Sequence, residues 1–144
     1  MLIGEYTHTL DDKKRISLPS KFRKQVGKKI VVTRGLDQCL FLYTLSEWRE
    51  ISRKIGELGM GQANRRGFNR FMLAGASEVS VDSVGRILIP EHLRKFALIT
   101  SKVVFAGVYN RIEVWDEKKW SDYKKEVLEN ADDMAEKLGD IGAL

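Results

Sequence analysis

Cysteine, proline and histidine are scarce in this chain of 144 residues, which holds one Cys, two Pro and two His. A lone Cys39 excludes an internal disulfide and fits a reducing cytoplasm. It sits in the apolar run Cys39-Leu40-Phe41-Leu42, where a small core residue belongs. His8 and His92 are far apart and nothing near them has metal-ligand spacing, so both read as surface or packed imidazoles. No stretch approaches the ~18 uninterrupted apolar residues of a membrane helix. Met1-Leu2-Ile3-Gly4-Glu5-Tyr6 lacks the basic and apolar regions of a secretory leader. Also missing are a Ser/His/Asp grouping, a phosphate-cradling glycine loop and a carboxylate pair in an apolar setting. Each absence is weak evidence by itself, and together they are consistent with the expectation of a cytoplasmic, non-enzymatic protein with no cofactor, no metal, no membrane partner and no small-molecule substrate.

The two prolines lead to what is present. Asp11-Asp12-Lys13-Lys14-Arg15-Ile16-Ser17-Leu18-Pro19-Ser20-Lys21-Phe22-Arg23 returns as Asp82-Ser83-Val84-Gly85-Arg86-Ile87-Leu88-Ile89-Pro90-Glu91-His92-Leu93-Arg94 at a constant offset of 71. At an offset of 72, Val31-Val32 then aligns with Val103-Val104, Gly35 with Gly107, Leu40 with Ile112, Tyr43 with Trp115 and Trp48 with Trp120. Agreement over some forty positions with one slip is an internal duplication. Each half is too small to bury a comfortable core alone, so the copies are expected to pack on each other or on another subunit.

The net charge of +5 conceals an asymmetry. Residues 1–75 carry 15 Lys/Arg against 7 Asp/Glu, and residues 76–144 carry 10 against 13. A basic half is the footprint of a polyanion binder, and equally of a solvated face that happens to be basic. Charge alone does not choose.

Each copy reads as about four short strands and a helical turn. Glu5–Leu10 and Glu78–Val81 alternate as strands. Asp82-Ser83-Val84-Gly85 has the early Asp and late Gly of a hairpin turn whose closing residue is left-handed, and equivalence extends that conformation to Lys14. Arg86–Ile89 is the return strand, and Pro90 can open a helix as its first residue. Leu18, Phe22 and Val26 in copy one, and Leu93 and Phe96 in copy two, line one side of that turn. Strands over 30–33 and 39–43, and over 103–105 and 111–115, follow. Thr44-Leu45-Ser46-Glu47 has the form of a reciprocal helix cap. A second helical segment over 64–74 is expected to turn Phe68, Phe71 and Met72 inward. Asp116 caps a last helix whose stripe, Trp120, Tyr123, Val127, Ala131, Met134 and Leu138, suits core or subunit contact better than a cofactor box. Its opposite face is acidic, which keeps it away from nucleic acid.

The functional weight falls on two Asp-x-x-x-Arg hairpin tips, Asp11/Arg15 and Asp82/Arg86. Across so short a turn each Asp can hold its Arg or cap turn amides, and a structural role is the better reading for Asp11, Asp82 and Gly85. A guanidinium so fixed can pair bidentately with a phosphate or with guanine O6 and N7. Arg15 and Arg86 are therefore candidate DNA-binding residues, joined by Lys13, Lys14, Lys21 and Arg23 around the first tip.

With these residues in view, the chain resembles the MraZ family of bacterial regulators, built from two tandem SpoVT-AbrB-type repeats. The matching features are the two tips, the Arg-Ile-x-Leu/Ile-Pro strands into Pro19 and Pro90, the lead-in Tyr6-x-His8-x-Leu10-Asp11, and Arg65-Arg66 before Phe71. The resemblance implies a β-rich α+β fold: two AbrB-like repeats forming a swapped-hairpin barrel about a pseudo-two-fold, with a connecting helical segment and a C-terminal helix. Residues 5–48 and 76–120 are then the repeats, 49–75 the connection and 121–144 the helical tail. It also implies ring-shaped homo-oligomers, a nucleoid location, and binding of double-stranded DNA at short direct repeats upstream of the division and cell-wall gene cluster, the protein's own promoter included. The alternative is a ring scaffold in cell division without specific DNA recognition. One departure stands out: the family usually places Gly before the tip Arg, as at Gly85, whereas copy one has Lys14. A left-handed Lys costs roughly 1 kcal/mol relative to Gly.

Overall fold

The computed structural model describes residues 1–144 and sets eight strands in an element order that runs through the chain twice. Copy one supplies β1 (Leu2–Thr9), β2 (Arg15–Ser17), α1 (Ser20–Val26), β3 (Lys29–Arg34), β4 (Leu40–Thr44) and α2 (Leu45–Gly56). A connection follows through α3 (Ala63–Asn69), which ends in a π-turn over Arg70–Ala74. Copy two repeats the order as β5 (Ser77–Ser80), β6 (Arg86–Leu88), α4 (Glu91–Phe96), β7 (Lys102–Tyr109), β8 (Ile112–Asp116) and α5 (Glu117–Asp140). Six strands form one antiparallel sheet in the order β1-β7-β8-β4-β3-β5, and β2 with β6 forms a separate two-stranded ribbon. This is a β-rich α+β fold.

The pairing exchanges strands between the copies. β1 lies beside β7 and β5 beside β3, so each copy's first strand completes the other copy's sheet. At the centre of the ribbon Ile16 pairs with its own repeat mate Ile87, and Arg15↔Leu88 mirrors Ser17↔Arg86. In the sheet Phe41 pairs with its mate Glu113, flanked by Leu40↔Val114 and Leu42↔Ile112. Residues that face their own mates lie on a two-fold axis. The axis therefore runs through the ribbon and through the β4–β8 ladder.

The strand register corrects the sequence alignment in one stretch. Leu10 N–H bonds to Ser101 O as Val81 N–H bonds to Lys28 O, which makes Ser101 the mate of Lys28 at an offset of 73. Ile30 and Val32 then match Val103 and Phe105, all four in the same core; at an offset of 72, Val32 would match Val104 on the opposite face of the sheet. One residue of slip inverts every side chain of a strand, so burial decides the register. Copy two inserts Ile99 and Thr100 before β7 and drops one residue from the next turn, which restores the offset of 72 at Leu40 and Ile112.

One face of the sheet packs on the ribbon and on α1 and α4, burying Ile16, Leu18, Phe22, Ile87, Ile89 and Leu93 with Ile30, Val32, Leu40, Phe105 and Val114. Leu18, Phe22 and Val26 all point into this core, as their helical spacing predicts. Pro19 and Pro90 each stand one residue earlier than expected, at the N-cap of α1 and α4, where their carbonyls accept the first helical bonds. The opposite face buries Cys39, Phe41, Tyr43, Met72 and Trp115 beneath α2, the π-turn and the start of α5. Thr44 caps α2 by accepting from Glu47 N–H at 3.2 Å, without the reverse bond, and Asp116 caps α5 by accepting from Lys119 N–H.

The π-turn reorganises the connecting segment. Phe71 and Met72 turn inward as expected, whereas Phe68 is 37% exposed and stacks on Phe71 from outside, because the wider turn breaks the 3.6-residue stripe. Carbonyls released by that turn find partners on β3: Thr33 Oγ1 donates to Met72 O at 2.6 Å and Arg34 Nη1 to Phe71 O at 3.1 Å. Thr33 is fully buried. Thr33→Val keeps the shape and leaves a buried carbonyl unpaired, so it should cost about 1–3 kcal/mol. Urea unfolding should show a lower midpoint at an unchanged slope.

Candidate nucleic-acid interface

Both tips are closed by the same set of bonds. Asp11 Oδ1 accepts from the amides of Lys13 and Arg15, each at 2.9 Å, and Oδ2 accepts from Arg15 Nε at 2.8 Å. Asp82 does the same with the amides of Val84 and Arg86 at 3.1 and 2.8 Å and with Arg86 Nε at 2.8 Å. Lys14 N–H and Gly85 N–H close the turns onto Asp11 O and Asp82 O, both at 3.0 Å. Lys14 is left-handed at φ 64° and Gly85 at φ 83°, so the turn imposes its conformation on a lysine. An acceptor-rich carboxylate facing amides explains why Asp opens both turns.

The electrostatics follow. The Arg15 amide foremost, with the Arg15 side chain and the Lys13 amide, holds the Asp11 carboxyl below the usual carboxylate range. The Arg86 amide leads the same effect at Asp82. Each arginine spends Nε on its Asp, and no hydrogen bond holds Nη1 or Nη2 of either. The fork is aimed, and its end remains available.

Alternation decides where the forks point. Ile16 and Ile87 face the core, so Arg15, Ser17, Arg86 and Leu88 share the outer face of the ribbon. Arg15 and Arg86 are diagonal neighbours across the two strands, roughly 8 Å apart at the backbone. Ser17 and Leu88 were missed by sequence reading, although the alternation Arg-Ile-x in both copies carries the signal.

The basic residues distribute differently from expectation. Lys13 and Lys14 stand exposed on the first tip. Arg23 belongs to the second: its Nε donates to Leu18 O at 2.8 Å, and a Cβ on Gly85 would fall 2.3 Å from that Nε. Leu18 N–H also donates to Gly85 O, so β2 and the second tip are stitched together. Lys14 correspondingly lines a groove with Arg94 and Lys95 of copy two, and Arg94 reaches Ile89 O through Nη1 where its mate Arg23 uses Nε. Strand exchange has laid each tip against the other copy's helix. Lys21 lies elsewhere, exposed on α1 beside a groove with Met1, Lys24 and Gln25, and bonds to neither tip. Arg94 was the other omission, recoverable from its offset of 71 from Arg23.

A duplicated hairpin unit that swaps strands about an internal two-fold, and presents two Asp-oriented arginines on one ribbon, defines a swapped-hairpin protein of tandem-repeat type. Comparison with known proteins narrows the class. The family model described as "MraZ protein, putative antitoxin-like" matches residues 1–71 and again 72–140. A protein named transcriptional regulator MraZ from Caldanaerobacter subterraneus subsp. tengcongensis is 47% identical over 138 residues, covering 96% of both chains. Others of that name, from a Thermoanaerobacter species and from Pediococcus pentosaceus, are 45% and 47% identical over 141 and 142 residues, covering 98–99% of this chain and 99% of each relative. The chain belongs to the MraZ family.

The depressed carboxyls set a pH window. Stabilisation from these tips is present above the ordinary value of 3.8 and lost as pH falls through the lower folded-state midpoints. Carbon-detected titration of the side-chain carboxyls should place Asp11 and Asp82 below 3.8. Arg15→Ala should return Asp11 only partway, because the Arg15 amide, the larger cause, survives the substitution.

Proposed function

We propose that this protein is a sequence-specific DNA-binding transcriptional regulator. It acts at short direct repeats upstream of the division and cell-wall gene cluster, its own promoter included. The observation that carries the reading is the ribbon face: two guanidiniums, each aimed by an Asp through Nε with both terminal nitrogens free, on a two-stranded β-element. A major groove admits a two-stranded ribbon, and an oriented guanidinium matches guanine O6 and N7 or a phosphate. Relatives covering nearly the whole chain carry the name transcriptional regulator. Lys13, Lys14, Lys21 and Arg23 supply sequence-independent attraction to phosphates. Residues 5–48 and 76–120 act as the two recognition units, joined by 49–75.

The same reading includes a closed homo-oligomeric ring at the nucleoid. Beyond the first turns of α5 every residue from Leu128 onward is exposed, Met134 and Leu138 of the apolar stripe among them. Such a stripe on a soluble helix suits contact with a second copy. No helix is long and apolar enough to cross a membrane. A ring raises the effective concentration of tips at successive DNA repeats, adding ~10²–10⁴ in avidity without new contacts.

Retardation of the gene's own upstream DNA tests the assignment. Arg15→Ala or Arg86→Ala should abolish specific retardation with oligomer size unchanged in light scattering. Lys13→Ala should weaken binding to all sequences alike and lower the salt slope by ~1 for each phosphate it ceases to neutralise. An Arg15→Ala protein with wild-type operator affinity would refute the role of the tips. A ring indifferent to DNA sequence would favour the scaffold.

A further inference from the structure

The outer face of the ribbon is two-fold symmetric in its arginines and asymmetric in everything else. Arg15 stands opposite Leu88, and Arg86 opposite Ser17. Ser17 and Leu88 are repeat mates on equivalent backbone, yet one carries a short hydroxyl and the other an isobutyl group that is 52% exposed. The fold does not require that leucine, since its mate position builds the same strand with serine. The turns differ in the same sense: Lys13 and Lys14 on one tip, Val84 and Gly85 on the other.

An apolar side chain between two fixed cations is unsuited to a phosphate and suited to one feature of DNA. Among base-pair edges in the major groove, thymine alone presents a methyl group, and apolar side chains read it. Resting on the DNA-binding reading above, we infer that Leu88 is a specificity-determining residue that packs on the C5-methyl of one thymine in each DNA repeat. The arginines position the ribbon and Leu88 tells its two ends apart. A pseudo-symmetric element thereby acquires a direction on DNA, as repeats in head-to-tail order demand and a palindrome does not.

The test isolates a single methyl group. The full chain selects duplexes from an amplified random pool, which carries no methylated cytosine, so thymine is the only source of a C5-methyl. The selected duplex is then resynthesised with each thymine replaced in turn by deoxyuridine, which lacks only that methyl. Wild-type protein should lose about fourfold in affinity at one thymine per repeat, the worth of one buried methyl-sized group. Leu88→Ser should bind thymine and deoxyuridine alike at that position. Ser17→Leu, which copies the mate's residue onto the other end of the ribbon, should create a second methyl-sensitive thymine. Indifference of the wild type to every deoxyuridine, or an unchanged loss in Leu88→Ser, would overturn the inference and leave the DNA-binding reading standing. Failure to enrich any sequence would overturn both.

Discussion

Everything in this molecule depends on Ile16 meeting Ile87. Two three-residue strands are too short to hold together as an isolated ribbon, and a lone hairpin is marginal in water. Their pairing persists because both isoleucines are nearly fully buried against α1, α4 and the large sheet. That burial brings the two copies into one core, across which β1 and β5 each pair with the other copy's sheet. The ribbon is thus the seam of the fold, and its outer face carries both Asp-held arginines.

Strand exchange has an electrostatic consequence. In an unswapped repeat, Arg23 would serve its own tip; here it packs against Gly85, while Arg94 and Lys95 lie beside Lys14. Neither copy presents a complete surface alone. Arg23 carries one cation of residues 1–75 to the second tip, and Arg94 and Lys95 bring two from copy two beside the first, so linear charge counts do not describe the surroundings of either tip. The glycine missing from the first tip fits the same geometry. Gly85 is packed under the Arg23 guanidinium, whereas Lys14 has an open groove beside it, and Arg94 donates to Ile89 O through Nη1 where Arg23 donates to Leu18 O through Nε.

The two faces of the sheet have separate tasks. The ribbon side is sealed by a mainly aliphatic core with Phe22 and Phe105 in it, and the tips stand on that core. The opposite side is aromatic, with Trp115 against Trp120 and Tyr123, and Tyr43 against Trp48, and it anchors the helices that lead away from the tips. Trp120 Nε1 donates to Glu5 and Lys124 pairs with the same carboxylate, which ties α5 to β1 at its base. Past that point the helix leaves the protein, its acidic face far from the cationic ribbon in chemistry and its apolar stripe uncovered.

Much was determined by the sequence alone. The duplication, the Asp-x-x-x-Arg tips, the left-handed Lys14 and the inward Leu18-Phe22-Val26 row are local, since turn chemistry and side-chain periodicity act within a few residues. Tertiary structure decided three further matters. The register of β7 followed burial and not identity, because Val32 matches Val104 by letter but only Phe105 faces the same core. The π-turn exposed Phe68 because Thr33 and Arg34, far away in sequence, satisfy the carbonyls it frees. Arg23 went to the second tip and Leu88 to a cationic face because strand exchange sets neighbours by pairing across the two-fold, and no window of the sequence contains both partners.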